Sequence, residues 1–225
     1  MRQVEASETV NTKVQTAGLN YQFVQMIGTP VSGISMVVKR IFDLVVGLVG
    51  TIISAPIILV FAIIVKLTSK GPALYKQERV GFMGKTFKVI KLRSMRQDAE
   101  TKTGAVWAQK NDPRITPVGR FMRKTRVDEL PQFWNVLMGD MSLVGPRPER
   151  PVLTEKFSQN NAEFPKRLRI IPGITGYAQI NGGYDITPDD KCKLDNYYIE
   201  HYSLWFDVKM LFGTVKIVVT GDGAR

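Results

Sequence analysis

The sequence predicts an α/β chain, mostly helical with a small sheet or hairpin, attached to a membrane through an N-terminal helical segment. Three observations carry that prediction. Phe42 to Val65 is a 24-residue apolar run whose one charge is Asp43. Residues 73–92 hold two strand-like stretches around a glycine-containing turn. From Thr116 onward, apolar side chains recur at helical spacing between Pro- and Gly-rich connectors. A length of 225 residues suits one compact domain with an appendage.

Residues 1–35 read as a leader of unknown role, without the basic start of a secretory signal. Residues 36–66 follow as the membrane segment and 67–225 as the functional domain. The apolar run has no polar stripe, unlike the helices of soluble cores. As one helix, its 24 residues would extend about 36 Å, beyond the roughly 30 Å hydrocarbon layer. Pro56 removes a backbone donor inside it, so a bend is expected, with the Ser54 hydroxyl placed to satisfy a freed carbonyl. Lys39 and Arg40 flank one end, Lys66 and Lys70 the other. That pattern places the C-terminal end in the cytoplasm and leaves two topologies open: a kinked single span, or a helix–break–helix that dips in and returns.

Ala73–Tyr75 and Thr86–Leu92 read as strands, and residues 93–113 as a charged loop. A helix is expected from Thr116 through Lys124, another around Pro131–Met138, and a third near 152–168. Two closing helices are expected near 187–200 and 203–220. In the last, Leu204, Val208, Leu211, Val215 and Val218 form a stripe that suits either core packing or an interfacial amphipathic helix.

Charge is unevenly spread. The chain has 31 Lys and Arg against 20 Asp and Glu, a formal +11. Residues 66–126 hold 16 basic and 4 acidic side chains, while the remainder has 15 and 16. The whole excess therefore adjoins the apolar run and points to an anionic surface or substrate. One cysteine and one histidine exclude an intrachain disulfide framework and a His- or Cys-rich metal cluster. Gly81–Thr86 ends like a phosphate-binding loop, but Arg79 stands where a Walker A motif needs glycine.

Asp128-Glu129 follow Arg120, Arg123, Lys124 and Arg126 at a helix start. Acidic residues there offset the helix dipole without further role; among cations they also suit Mg²⁺ binding or nucleophilic attack. Arg147 lies between Pro146 and Pro148, which restrict the backbone and present its fork to a phosphate or, equally, to solvent in a rigid turn. Pro172-Gly173-Ile174-Thr175-Gly176 reads as a turn whose glycine amides are free to approach a ligand.

Together these motifs resemble a known family. KQERVG at 76–81, KLRSM at 91–95, DELPQFWNVLMGDMSLVGPRP at 128–148, PGITGYAQINGG at 172–183 and YYIEHYSLWFDVKMLF at 197–212 are similar, in content and order, to the bacterial sugar transferases. These are monotopic phosphoglycosyl transferases, and the resemblance is to the short form without a four-helix N-terminal extension. It implies transfer of a sugar 1-phosphate from a UDP-sugar to polyprenyl (undecaprenyl) phosphate with release of UMP, initiating a bacterial surface glycan. It also implies Asp128 as nucleophile of a phosphosugar–aspartyl intermediate, and Glu129 assisting with Mg²⁺ or the acceptor. Arg147 and Arg123 would bind phosphate, with Mg²⁺ at Asp128 and Glu129. Pro172, Gly173, Thr175 and Gly176 stand as candidates for the nucleotide-sugar loop.

The resemblance further implies a re-entrant helix broken at a Ser-Pro pair, which here is spread over Ser54 and Pro56 with Ala55 between. The catalytic domain would then lie on the cytoplasmic face of the bacterial inner membrane, in contact with membrane lipids. A homodimer is compatible with the sequence; nucleic acid is not an expected partner. The rival from another class is a non-enzymatic adaptor that binds anionic lipid or partners through the basic region.

Overall fold

A computed structural model describes residues 24–100, 112–182 and 186–220, with side chains through Ile217. Most of the leader and residues 101–111 of the charged loop lie outside these, as does the Val218 side chain. The chain is mostly helical with two small sheets. After helical residues 24–27 comes α1, Gly33–Thr68, whose N-terminus is capped by Ser32 accepting from the Ser35 amide. Strands β1 (Leu74–Val80) and β2 (Thr86–Leu92) form an antiparallel hairpin in which Leu74 faces Leu92 and Val80 faces Thr86.

Helix α2, Pro117–Lys124, starts where Thr116 accepts from the Gly119 amide at 2.9 Å, with proline in its first turn. Its close seat on the chain after β2 needs glycine, since a Cβ at Gly119 would stand 1.9 Å from the Ser94 carbonyl oxygen. A one-turn 3₁₀ helix, Val127–Glu129, leads into α3, Gln132–Met138. Then come β3 (Ser142–Val144), α4 (Pro151–Asn160), β4 (Gly173–Thr175) and the short α5 (Tyr177–Asn181). Helices α6 (Pro188–Glu200) and α7 (Leu204–Thr220) close the chain. Strands β3 and β4 pair in parallel, Ser142 with Gly173 and Val144 with Thr175.

The main core joins Val89, Val136, Met141, Leu143, Val144, Ile170, Tyr198, Ile199 and Met210, so β2, α3, β3, α6 and α7 share it. A second cluster of Val65, Leu92 and Met122 seats the C-terminal half of α1 on the hairpin and α2. There Phe61 stacks on Phe121 with ring centroids 5.9 Å apart.

Helix α1 has two faces. Lys39, Asp43, Gly47, Ser54 and Val65 are buried against the domain. Fifteen of its Val, Ile and Leu side chains, from Ile34 to Leu67, are exposed. The helix is long and apolar enough to cross a membrane by length and composition, and so large an uncovered apolar face marks a membrane or protein contact.

Where helix, break and helix are expected, helical structure continues through Pro56 as one element of 36 residues. Proline deprives the Ile52 carbonyl of its usual donor, yet the Ser54 hydroxyl donates to the Thr51 carbonyl at 3.3 Å. A second correction concerns the flanking charges. Lys39 is 3% exposed and is tied into the domain, so it does not stand in water as a topology signal does. In α7 the buried positions are Asp207 and Met210, while Trp205, Phe212 and Val215 of the outer side are exposed. The Lys209 ammonium lies 5.8 Å from the Trp205 ring centre, an arrangement suited to an interface.

Candidate active site

The 3₁₀ turn that carries Asp128 and Glu129 is set up by Arg126, which adopts left-handed φ 58°. A non-glycine residue holds that conformation only where its surroundings enforce it. The turn buries both carboxylates, leaving Asp128 7% and Glu129 9% exposed.

Their surroundings differ sharply. Glu129 accepts from Lys91 Nζ at 2.8 Å and from both terminal nitrogens of Arg147, with Arg126 at 4.0 Å. Burial alone would raise its pKa; Arg147 and Lys91 outweigh that and hold the carboxyl well below the usual range. Asp128 accepts no hydrogen bond from the described residues. Burial first, and then the charge of Glu129, push its pKa up to about 6 against the pull of Lys91, Arg123 and Arg147.

Arg147 reaches Glu129 because its loop is pinned at each residue. The Gly145 amide donates to the Thr175 carbonyl at 2.9 Å, and the Pro146 carbonyl accepts from the Gly173 amide at 3.0 Å. The Arg147 carbonyl accepts from Arg167 Nη2 at 2.8 Å, and the Pro148 carbonyl from Arg79 Nη1 at 3.0 Å. Arg167 is itself held by Asp195 at 2.6 Å, a pair almost wholly buried. Arg123, on the last turn of α2, donates through Nε to Ser94 Oγ at 2.9 Å.

Asp128, Glu129, Arg123 and Arg147 line one cavity of about 650 Å³. Ten Arg and Lys residues and four acidic residues share its wall, so it is built for an anion. The Pro172-Gly173-Ile174-Thr175-Gly176 stretch is placed elsewhere. It forms β4 and the start of α5, and none of its residues is among those lining the cavity. Its glycines do meet a close neighbour, but that neighbour is the arginine loop: a Cβ at Gly173 would stand 2.1 Å from the Gly145 nitrogen. Thr175 Oγ1 meets Thr214 Oγ1 at 2.6 Å. Ser54 and Pro56 lie in α1, away from the cavity lining.

Sequence reasoning did not single out Lys91, Arg79 or Lys191. Lys91 had a signal: it shares the two-residue alternation of β2 with Phe87 and Val89, in a motif already noted. Arg79 lines the cavity, and burial brings its pKa down to about 10 although Glu149 works against it. Lys191 pairs with Glu149; burial would raise that carboxyl, but Lys191 and then Arg167 bring it to about 2.

Among the described residues no group of three His, Cys, Asp or Glu could hold a metal. Magnesium sites commonly use one or two carboxylates and complete their shell with substrate phosphates and water. Asp128 fits that pattern, being uncommitted and on the cavity wall. Glu129 fits it less well, since both its oxygens already accept from cations.

The model of the bacterial sugar transferase family matches residues 34–221, which takes in all but the first residue of α1 and every element of the site. The chain belongs to that family. Among relatives of this sugar transferase, a UDP-N-acetylgalactosamine-undecaprenyl-phosphate N-acetylgalactosaminephosphotransferase of Aeromonas hydrophila is 40% identical over 225 residues. A putative undecaprenyl-phosphate N-acetylgalactosaminyl 1-phosphate transferase of Bacillus subtilis is 58% identical over 133 residues, 59% of the chain. A UDP-glucose:undecaprenyl-phosphate glucose-1-phosphate transferase of Klebsiella pneumoniae is 44% identical over 197 residues, 85% of the chain. The alignment with the first covers 98% of the chain; the matches span 52%, 74% and 42% of these relatives' own lengths.

Proposed function

We propose that the protein is a membrane-bound phosphoglycosyl transferase, moving a sugar 1-phosphate from a UDP-sugar to undecaprenyl or a related polyprenyl phosphate. The observation that carries this reading is the asymmetry of the dyad: Glu129 is bound by cations while Asp128 is uncommitted on the wall of a basic cavity. In the first step a carboxylate oxygen of Asp128 attacks the β-phosphorus of the donor. The bond from that phosphorus to the oxygen bridging to the α-phosphate breaks, UMP leaves with the electron pair, and an aspartyl phosphosugar remains. In the second step an oxygen of the lipid phosphate attacks the same phosphorus and frees the Asp128 carboxylate. Two half-reactions suit one soluble and one lipid-embedded substrate.

A buried carboxylate with pKa near 6 is ionised at neutral pH and more basic than an exposed one. Glu129 keeps Arg147 and Lys91 in place. Each retains further N–H donors for phosphate oxygens, and Arg123 adds a third cation. Asp128 and the donor's phosphates would hold Mg²⁺. Bound there, the metal neutralises phosphate charge.

Membrane attachment rests on the exposed apolar face of α1. Its Lys39 and Val65 both pack on the same domain although 26 residues, about 39 Å of helix, separate them. Contact at both ends supports a monotopic arrangement with the domain on one side; the side we assign is the cytoplasmic face of the inner membrane. In this reading the transfer is the initiating step of a surface glycan.

The test is UMP release from a panel of UDP-sugars with polyprenyl phosphate in detergent or vesicles. Asp128→Asn is expected to remove turnover while membrane sedimentation is retained, and a chelator to stop the wild-type reaction. Turnover by Asp128→Asn would remove the nucleophile assignment.

A further inference from the structure

Three charged residues stand at the head of α1, and all three bind the domain. Asp43 is 1% exposed, and its Oδ1 accepts from Ser142 Oγ and from the Leu143 amide, each at 3.0 Å. Lys39 Nζ donates to the Val144 carbonyl at 2.9 Å and to Asp207 at 2.6 Å. Asp207 in turn accepts from the Tyr198 hydroxyl at 2.6 Å. Arg40 donates to the carbonyls of Val136 and Leu137, at 2.5 and 2.8 Å, in the last turn of α3. Charges that only orient a membrane helix need water or lipid headgroups. These instead satisfy backbone groups of two specific elements.

Those two elements border the site. Strand β3 runs directly into Gly145-Pro146-Arg147, and α3 begins three residues after Glu129. Asp43 and Lys39 together bind all three residues of β3. The other edge of the strand is bound to β4, so β3 is held from two sides. The Arg147 guanidinium meets Glu129 only if that strand delivers the loop at the right height.

We propose that Asp43, supported by Lys39 and Arg40, is a positioning residue of the transfer reaction: the head of the membrane helix holds β3 and thereby sets Arg147 against Glu129. The proposal rests on the phosphoglycosyl transfer reading above. It makes α1 part of the catalytic scaffold as well as an anchor. Small displacements of a charged group from a phosphoryl-transfer site can lower rates by about 100-fold, so the effect of loosening this tie is measurable.

The experiment is a double-mutant cycle on UMP release, with membrane sedimentation and thermal unfolding recorded for each variant. Asp43→Ala is expected to lower kcat roughly 10- to 100-fold while the protein still sediments with membranes. Asp43→Asn keeps an acceptor oxygen and is expected to stay within about 3-fold of wild type. Combining Asp43→Ala with Arg147→Ala should cost no more than about 3-fold beyond Arg147→Ala alone, because both act through one guanidinium.

Losses that multiply in the double variant would overturn the proposal, as would wild-type turnover in Asp43→Ala. Equal loss in a folded Asp43→Asn would do the same. If Asp43→Ala does not fold, Ser142→Ala, which removes one of the two donors, carries the same cycle with a smaller loss. Absence of UMP release from the wild-type protein with every UDP-sugar would instead overturn the underlying transferase reading.

Discussion

Two Pro- and Gly-rich stretches, 145–148 and 172–176, are alike in composition and lie side by side, yet they do different work. The first carries a charge between its prolines and turns it into the cavity, where Arg147 binds Glu129. The second carries none, and its amide and carbonyl groups are spent on the first: Gly173 on Pro146, Thr175 on Gly145. Glycine is needed in both for close approach, but between the two backbones. One loop is the arm and the other its support. Restricted backbone alone therefore does not mark a ligand loop; what matters is whether a functional group projects from it.

Substitutions can break this contrast. Arg147→Ala should have the largest effect, a loss of kcat of about 100- to 1,000-fold in UMP release, the scale for removing a preorganised charge donor. Arg147→Lys should recover little, because a single ammonium cannot reproduce the fork on Glu129. Gly173→Ala places a Cβ against the Gly145 nitrogen and should act chiefly on stability, lowering it by about 1–3 kcal/mol in denaturant unfolding. If Gly173→Ala instead raises the donor KM with unchanged stability, the second stretch touches substrate after all.

The smallest effect concerns pH. Asp128 is protonated as pH falls through about 6, so the nucleophilic form is lost below that point in the protein free of divalent cation. Arg147 is among the charges that lower this pKa, so Arg147→Ala should move the Asp128 titration above 6, followed by carboxyl NMR. Gly173→Ala should leave it in place. An unmoved titration in Arg147→Ala would show that the arm does not reach Asp128 electrostatically.

Local signals made much of the fold legible. Thr116 with Pro117 marked the start of α2, and the period of Thr86–Leu92 marked β2 at its observed bounds. The helices α3, α6 and α7 fell close to where capping and periodicity put them. Strands β3 and β4 were not legible. Each has three residues, and they pair in parallel across about thirty intervening residues, which leaves no local trace. In α7 the apolar stripe left core and interface open, and the structure shows a mixed helix: it buries Asp207 for Lys39 and Tyr198 and leaves Val215 outside.

The site divides similarly. Asp128, Glu129 and Arg147 were visible as charges at constrained positions, and Arg123 through the family resemblance. Lys91 and Lys191 were not, since a lysine in a strand or helix looks like any solvated charge until its carboxylate partner is located. Lys39 and Arg40 were visible but read as flanks, and Asp43 as the one charge of the apolar run, because sequence shows a charge and not the partner it meets.

The two faces of α1 also bear on engineering. In a water-soluble protein the polar face of a helix looks outward and the apolar face inward; here the inward face carries Lys39, Asp43 and Ser54, and the outward face fifteen aliphatic side chains. The two sets occupy different positions. Repainting the aliphatic set with Glu, Lys and Gln would leave every tie to β3 and α3 in place, and would yield a detergent-free form in which the chemistry of the cavity could be followed apart from the bilayer.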